Sequence, residues 1–426
     1  MKILEEIERL LKKYFEEEKY ESSSKVPLMT PSYGHEEVIQ VIDSLLKRNL
    51  TLNLSSDNKI GKFEDLWASY IGMKNGIMLN SGSSANLIAL SVLSNPSVKN
   101  PIQKGDEIIT PAVTWSTTVA PMFCIGAVPR FVDVNLSDFS IDADQIESAI
   151  NEKTKAIMIV HVLGFPCNMD KIVKIAKKRS LYLIEDCCES HGAEFNGKKV
   201  GSFGDFSTFS FFWSHHLTSI EGGMALTNND DYAELARIMR SQGVMRNVKD
   251  KSRQTALAEQ YPDIDPKYLF ANLGYNLRPS ELQGGFGLVQ FNKFPSFLTA
   301  RKKTEEFLNK NLNKYSDYLM PHYPQENGKS SWFAYPIAVK ENDKFTASQL
   351  KNFLVSKGIE CRPIISGNYT KHPVAKLFKY QVHGNLKNAD YIHKNGFYFG
   401  NHPGIGKEQQ EYIVKCFDEF FSKLVR

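Results

Sequence analysis

The chain has 426 residues, of which 42% are hydrophobic, 12% aromatic and 23% charged, with a formal net charge of +4. That apolar content supports a large core shared between two or three domains. The small, well-mixed charge argues against a nucleic-acid partner, and no apolar run approaches the roughly 18 residues of a membrane span.

The segment 1–19 alternates Glu and Lys around Ile3, Ile7, Leu10, Leu11 and Phe15. Apolar spacing of three and four predicts a surface helix, and the acidic residues argue against a signal peptide. From about residue 65 to 229, short apolar runs alternate with helical stretches. Strands are expected at 76–79, 107–110, 130–134, 155–162 and 181–185, with helices at 85–90, after Trp115 and at 172–178. The run Lys155 to Val162 is continuously apolar, as in a strand buried on both faces. Strand–helix alternation of this kind predicts an α/β fold with a mostly parallel sheet.

A helix is expected at 232–240, then a polar loop at 243–266. A long helix follows at 292–313, with a strand at 332–339 and helices at 348–357 and 409–424. The resulting division is an N-terminal helical extension (1–40), a large α/β domain (41–290) and a small C-terminal α+β domain with a linking helix (291–426).

Six cysteines occur, Cys124, Cys167, Cys187, Cys188, Cys361 and Cys416, and none are spaced C-x-x-C. The expectation is reduced thiols in a cytoplasmic protein, with no metal site.

Four short motifs carry chemistry. Gly82-Ser83-Ser84 lies between a strand and a helix. Backbone N–H groups at a helix start make a phosphate cradle, although the same residues serve as an ordinary turn and cap. Asp186 closes the strand 181–185, where open α/β sheets place ligands. It suits a protonated pyridine nitrogen, as in proteins that hold pyridoxal phosphate, and equally a helix cap. Trp115, just after a strand, is placed to stack on a flat cofactor or to pack in the core. The run from Ser210 to Gly223 contains His215-His216 and Glu221-Gly222-Gly223. If this run is a strand, the two histidines face opposite ways, so one site does not use both.

Taken in order, these motifs, with Asp186-Cys187-Cys188-Glu189 and residues 274–281, resemble the sugar aminotransferase (DegT/DnrJ/EryC/StrS) family of pyridoxal-phosphate enzymes, from about residue 40 to the C-terminus. The resemblance implies the aspartate-aminotransferase fold type. It also implies that Gly82, Ser83, Ser84 and Ser210 hold the cofactor phosphate and that Trp115 stacks on the ring. Asp186 would pair with the ring nitrogen, and Glu189 would lie near the ring oxygen. Asn276 would reach the phosphate of a partner subunit, making the active unit a homodimer.

Ordinary members carry lysine where this chain has His215. In that respect the chain resembles the 3-dehydratase branch, which makes 3,6-dideoxy sugars for surface polysaccharide. The run 358–364, containing Arg362 as a substrate contact, is similar to colitose-type members. At Gln242 the chain departs from them, since they carry histidine there. The branch implies a GDP- or CDP-linked 4-keto-6-deoxy sugar as substrate and L-glutamate as amino donor to the pyridoxal phosphate/pyridoxamine phosphate pair. A lysine amine bonds the cofactor aldehyde covalently; imidazole does not, but exchanges protons near neutral pH. His215 is therefore expected to be a general base. A second dehydratase branch carries a cysteine-held [2Fe–2S] cluster and a reductase partner. The segment 243–266 contains no cysteine, so neither cluster nor reductase is expected. The competing readings are an aminotransferase with a displaced lysine, although none lies between Lys199 and Lys249, and a non-catalytic cofactor-binding homologue.

Overall fold

The computed structural model describes residues 2–18, 20–51 and 58–424. Met1 and Lys19, the ends of the first expected helix, lie outside them; the helix itself spans Lys2–Glu17.

In chain order the strands are β1 (Asn75–Leu79), β2 (Glu107–Pro111), β3 (Val128–Val132), β4 (Thr154–Val160) and β5 (Tyr182–Asp186). A short hairpin, β6 (Glu194–Phe195) and β7 (Lys198–Lys199), precedes β8 (Phe206–Ser210) and β9 (Gly223–Thr227). The C-terminal part adds β10 (Leu319–Met320), β11 (Gly328–Lys329), β12 (Ala334–Val339), β13 (Cys361–Pro363), β14 (Gln381–Val382) and β15 (Gly396–Gly400).

Eight strands form the main sheet in the order β1-β9-β8-β5-β4-β2-β3-β14. Both pairings of β9 are antiparallel and the rest are parallel, so the sheet is mostly parallel, as expected. Alternation along the strands divides the core into two layers. Ile108, Ala156, Met158 and Ile184 pack with the helix Gly82–Leu93, whereas Ile109, Ile157, Ile159 and Leu183 pack with Ile146, Met169 and Ile172. Helices thus cover both faces. A second sheet, β10-β12-β15-β13, is antiparallel and packs with the helices Ala347–Ser356 and Lys407–Ser422. The two parts interlock: β14 pairs with β3, and Val26, from the N-terminal segment, bridges Ile359 beside β13.

Several elements differ from expectation. The third strand ends at Val132 instead of residue 134. The stretch 243–266 contains the helix Lys251–Gln260, none of whose residues is buried, so it shows no apolar period to read. The long helix starts at Glu281, well before residue 292. Its first turns hold Gly284, Gly285 and Gly287, poor helix formers kept here by close approach. A Cβ on Gly284 would lie 2.7 Å from the Ile60 nitrogen, and one on Gly287 2.7 Å from the Phe63 ring. The start is secured by a capping box between Ser280 and Gln283.

Candidate active site

The carboxyl ends of β5 and β8 and the start of the helix Gly82–Leu93 converge on a cavity of about 340 Å³. Gly82 marks the convergence: a Cβ there would lie 2.5 Å from Ser210 Cβ and 3.0 Å from Cys188 Sγ. Gly223 is needed for the same reason, since its Cβ would meet the Ser81 carbonyl at 2.1 Å. The glycines at 82 and 223 therefore let β1, β8 and β9 close around the helix start.

Of the expected residues, Gly82, Ser83, Trp115, Asp186, Glu189, Ser210 and His215 line this cavity. Ser84 does not: its N–H is capped by Ser81 Oγ at 3.1 Å and its hydroxyl donates to Asn80 Oδ1 at 2.6 Å. Ser81, the N-cap, takes the place expected of Ser84 at the cavity wall. Asn276 is exposed on its own chain, where its side-chain oxygen accepts from Arg278 Nε. Arg362 is also exposed and pairs through β13 with Tyr398, which does line the cavity. Gln242 is exposed, in a left-handed turn at φ 65°.

Asp186 is held firmly. Its Oδ2 accepts from Asn86 Nδ2 (2.9 Å) and Thr118 Oγ1 (2.7 Å), and its Oδ1 accepts from the Cys188 N–H (3.1 Å). Asn86 is aimed in turn by Thr208, whose hydroxyl donates to Asn86 Oδ1. Glu189 accepts the Leu163 N–H at 3.0 Å, and burial, reinforced by the Asp186 charge, pushes its pKa up to about 8. Trp115 caps the helix Ser116–Cys124 and stands at the mouth, 55% exposed, available to a ligand face.

The histidine pair lies in the turn between β8 and β9, so the strand condition under which the two rings would face opposite ways does not hold. The two rings are nonetheless used differently. His215 Nδ1 is 2.6 Å from the Cys188 carbonyl. A carbonyl only accepts, so Nδ1 carries the proton and Nε2 keeps its lone pair. Burial lowers the His215 pKa to about 4, against the opposing pull of the Cys188 hydrogen bond, leaving a neutral ring at neutral pH. His216 is fully buried, and its Nε2–H donates to the Ser331 carbonyl at 3.1 Å. His216 is not among the cavity-lining residues.

Among the described residues, one group of side chains has metal-ligand spacing: His161, Glu185 and Cys187. Two of its three side chains, His161 and Glu185, are already engaged. His161 Nδ1 accepts the Cys167 N–H, so Nε2–H faces Glu185, which also accepts from the backbone of Gly201, Phe203 and Gly204. This is a hydrogen-bonded core network.

Phe333 and Tyr398 also line the cavity and were not anticipated, and Glu221, singled out only as part of a motif, lines it too. Tyr398 comes from β15 of the small sheet and Phe333 from the segment just before β12, and neither stretch of sequence contains a local cue to a ligand. Asn86 lies one helical turn beyond Gly82, a spacing that would have singled it out.

The donor set suits pyridoxal phosphate. Helix-start N–H groups with Ser83 and Ser210 suit a phosphate, Trp115 a flat ring, and the buried, triply held Asp186 carboxylate a ring N–H⁺. Fold and cavity together define the class of pyridoxal-phosphate-dependent aminotransferase-fold proteins.

Within that class, the chain belongs to the DegT/DnrJ/EryC1/StrS aminotransferase family, whose model matches residues 33–418. It is 40% identical over 345 residues to the GDP-4-keto-6-deoxy-D-mannose 3-dehydratase of Escherichia coli O55:H7, covering 80% of this chain and 87% of the relative. It is 37% identical over 377 residues to the Yersinia pseudotuberculosis enzyme of the same name, covering 88% and 94%. Among solved structures, a GDP-4-keto-6-deoxymannose-3-dehydratase with a trapped PLP-glutamate geminal diamine superposes with a TM-score of 0.83. That likeness holds at 35% identity and covers 92% of this chain and all of the other.

Proposed function

We propose that this chain is a pyridoxal-phosphate-dependent 3-dehydratase. It would remove the C3 hydroxyl of a nucleotide-linked 4-keto-6-deoxy sugar, GDP-linked by analogy with its relatives, using L-glutamate as amino donor. The observation that carries this reading is His215: a neutral imidazole anchored through Nδ1, with Nε2 free at the cavity, and no lysine among the described lining residues.

When bound, the cofactor supplies an amine that joins the sugar's C4 ketone and a cationic ring that takes up electrons. Asp186 holds the charge on that ring nitrogen, and the hydrogen bonds from Asn86, Thr118 and Cys188 keep the carboxylate aimed. Trp115 would cover a ring face, while Gly82, Ser83 and Ser210, which line the cavity, would hold the phosphate. Glu189, whose pKa burial raises to about 8, would donate to the ring oxygen. His215 Nε2, its lone pair available at the cavity, would serve as the general base, and its imidazolium would return the proton to the departing C3 oxygen. Because His215 is difficult to protonate in this site, its conjugate acid gives the proton up readily.

Electron balance separates this from transamination. Replacing C3–OH by C3–H is a two-electron reduction, matched by the oxidation of glutamate to 2-oxoglutarate. The donated nitrogen leaves as ammonia when the sugar is released by water. Asn276, exposed on its own chain, would extend into a partner subunit's phosphate site in a homodimer. Incubation with glutamate and a 4-keto nucleotide sugar tests the reading: a 3-deoxy ketone is expected, and an amino sugar would overturn it.

A further inference from the structure

Arg301 lies within the long helix Glu281–Leu312, only 1% exposed, and among the described residues its hydrogen bonds run to backbone carbonyls, not to a carboxylate. Its Nη1 donates to the carbonyls of Phe333 (2.6 Å), Trp332 (3.4 Å) and Asn401, while Nε and Nη2 are buried without a hydrogen-bond partner. Burial lowers its pKa to about 9, so it remains a cation at neutral pH. Removing a charge from water without a counter-ion is costly, and three carbonyl contacts do not by themselves require it.

Two of the carbonyls it holds, those of Trp332 and Phe333, belong to the strap 331–333, which leads from the cavity wall into β12. Trp332 turns this strap in the left-handed region at φ 50°. A second left-handed bend faces it, at Leu163 (φ 51°) and Gly164 (φ 89°). Ser331 N–H donates to the Gly164 carbonyl (3.1 Å) and Phe333 N–H to the Leu163 carbonyl (3.0 Å). The fit is close: a Cβ on Gly164 would lie 2.7 Å from Ser331 Oγ. The Leu163 N–H in turn donates to Glu189. From this clamp the strap reaches both histidines. The Ser331 carbonyl accepts from His216, and the Phe333 ring packs edge-on against His215, with centroids 5.2 Å apart at 72°.

We propose that Arg301 is a positioning residue for His215: it pins the strap that fixes the imidazole plane and sets an uncompensated positive charge behind the ring. This inference rests on His215 being the base. The other groups facing His215 are Asp186, at the end of β5, which favours the imidazolium, and His191, whose ring centroid is 6.1 Å away. His216 adjoins it in the same turn, and Glu189 and Tyr398 share the cavity. Of the charged groups acting on His215, Arg301 opposes protonation and Asp186 favours it.

The test uses full-length Arg301→Met, Arg301→Lys and Phe333→Leu. The first readout is the His215 ring titration in the cofactor-free protein, followed by NMR of labelled histidine and assigned with His215→Asn. The second is kcat and KM in the reconstituted enzyme. In Arg301→Met the His215 midpoint should rise by about one pH unit or more, since the opposing cation is gone. Its kcat should fall about 10- to 100-fold with KM changed less than about threefold, as for a misplaced catalytic group. Arg301→Lys should bring the midpoint back toward the wild-type value. An unchanged midpoint and kcat in Arg301→Met, or a lysine variant no better than methionine in either readout, would overturn the proposal. If Arg301→Met does not fold, Phe333→Leu decides: reduced kcat with intact cofactor absorbance supports the strap, and wild-type kcat refutes it. A fully active His215→Asn would instead bring down the assignment of the base.

Discussion

Replacing His215 by Asn is the perturbation most closely defined by the structure. The asparagine amide can still donate to the Cys188 carbonyl, which His215 Nδ1 reaches at 2.6 Å, so the turn keeps its anchor. What disappears is the Nε2 lone pair and the edge-on contact with Phe333. Loss of an aromatic contact of this kind costs about 0.5–1.5 kcal/mol, too little to unfold the chain. Loss of a general base costs about 10²–10⁴ in kcat, or roughly 2.7–5.4 kcal/mol of barrier. The asparagine protein should therefore bind cofactor with normal absorbance, melt within a few degrees of wild type and turn over at about 10⁻² to 10⁻⁴ of its rate. Single-turnover mixing of the pyridoxamine form with substrate, followed by absorbance, isolates the proton-transfer step. In wild type the acid limb of kcat/KM should fall well below the ordinary histidine range, because the His215 pKa is lowered to about 4 and the base must be neutral to act. A His215→Asn rate within about threefold of wild type would refute the argument, as would a wild-type acid limb at the unperturbed value of about 6.5.

Three further outcomes follow from neighbouring contacts. His215→Lys should gain a covalent link to the cofactor aldehyde, shifting absorbance to longer wavelength and leaving a borohydride-fixed pyridoxyl adduct that wild type lacks; an adduct on a lysine of the wild-type protein would contradict the site. His216→Asn is too short to reach the Ser331 carbonyl, so it should lower thermal stability by about 1–3 kcal/mol while leaving kcat nearly intact; a crippled rate with normal stability would reverse the roles of the two histidines. Gly82→Ala, whose Cβ would meet Ser210 and Cys188, should weaken cofactor binding at least about tenfold by equilibrium dialysis, and unchanged affinity would remove the helix start from the phosphate site.

The sequence carried much of the large domain because its signals were local. The apolar run at β4 is buried along nearly its whole length, and Asp186 closes β5 with its carboxylate at the cavity. Where local signals conflicted, expectation slipped. Ser81, Ser83 and Ser84 are indistinguishable as residues, and only the helix start decides that Ser81 caps while Ser84 turns toward Asn80. The glycines at 284 and 287 are poor helix formers, yet tertiary approach to Ile60 and Phe63 makes them requirements. Nothing local settled whether His215 and His216 lie on a strand or in a turn, because the segment continues directly from β8. Phe333 and Tyr398 escaped notice because they reach the cavity from the segment before β12 and from β15, more than a hundred residues later in the chain than His215.

The central claim, deoxygenation at C3 by a histidine-based dehydratase, is tested most directly by following the nitrogen. The protein, loaded with pyridoxal phosphate, is supplied with ¹⁵N-glutamate and GDP-4-keto-6-deoxymannose, and the products are read by mass spectrometry. The account predicts one ¹⁵N-ammonium and one 2-oxoglutarate for each nucleotide sugar that has lost its C3 oxygen, with no label on the sugar. A nucleotide sugar that keeps the C3 oxygen and carries ¹⁵N at C4 would contradict it.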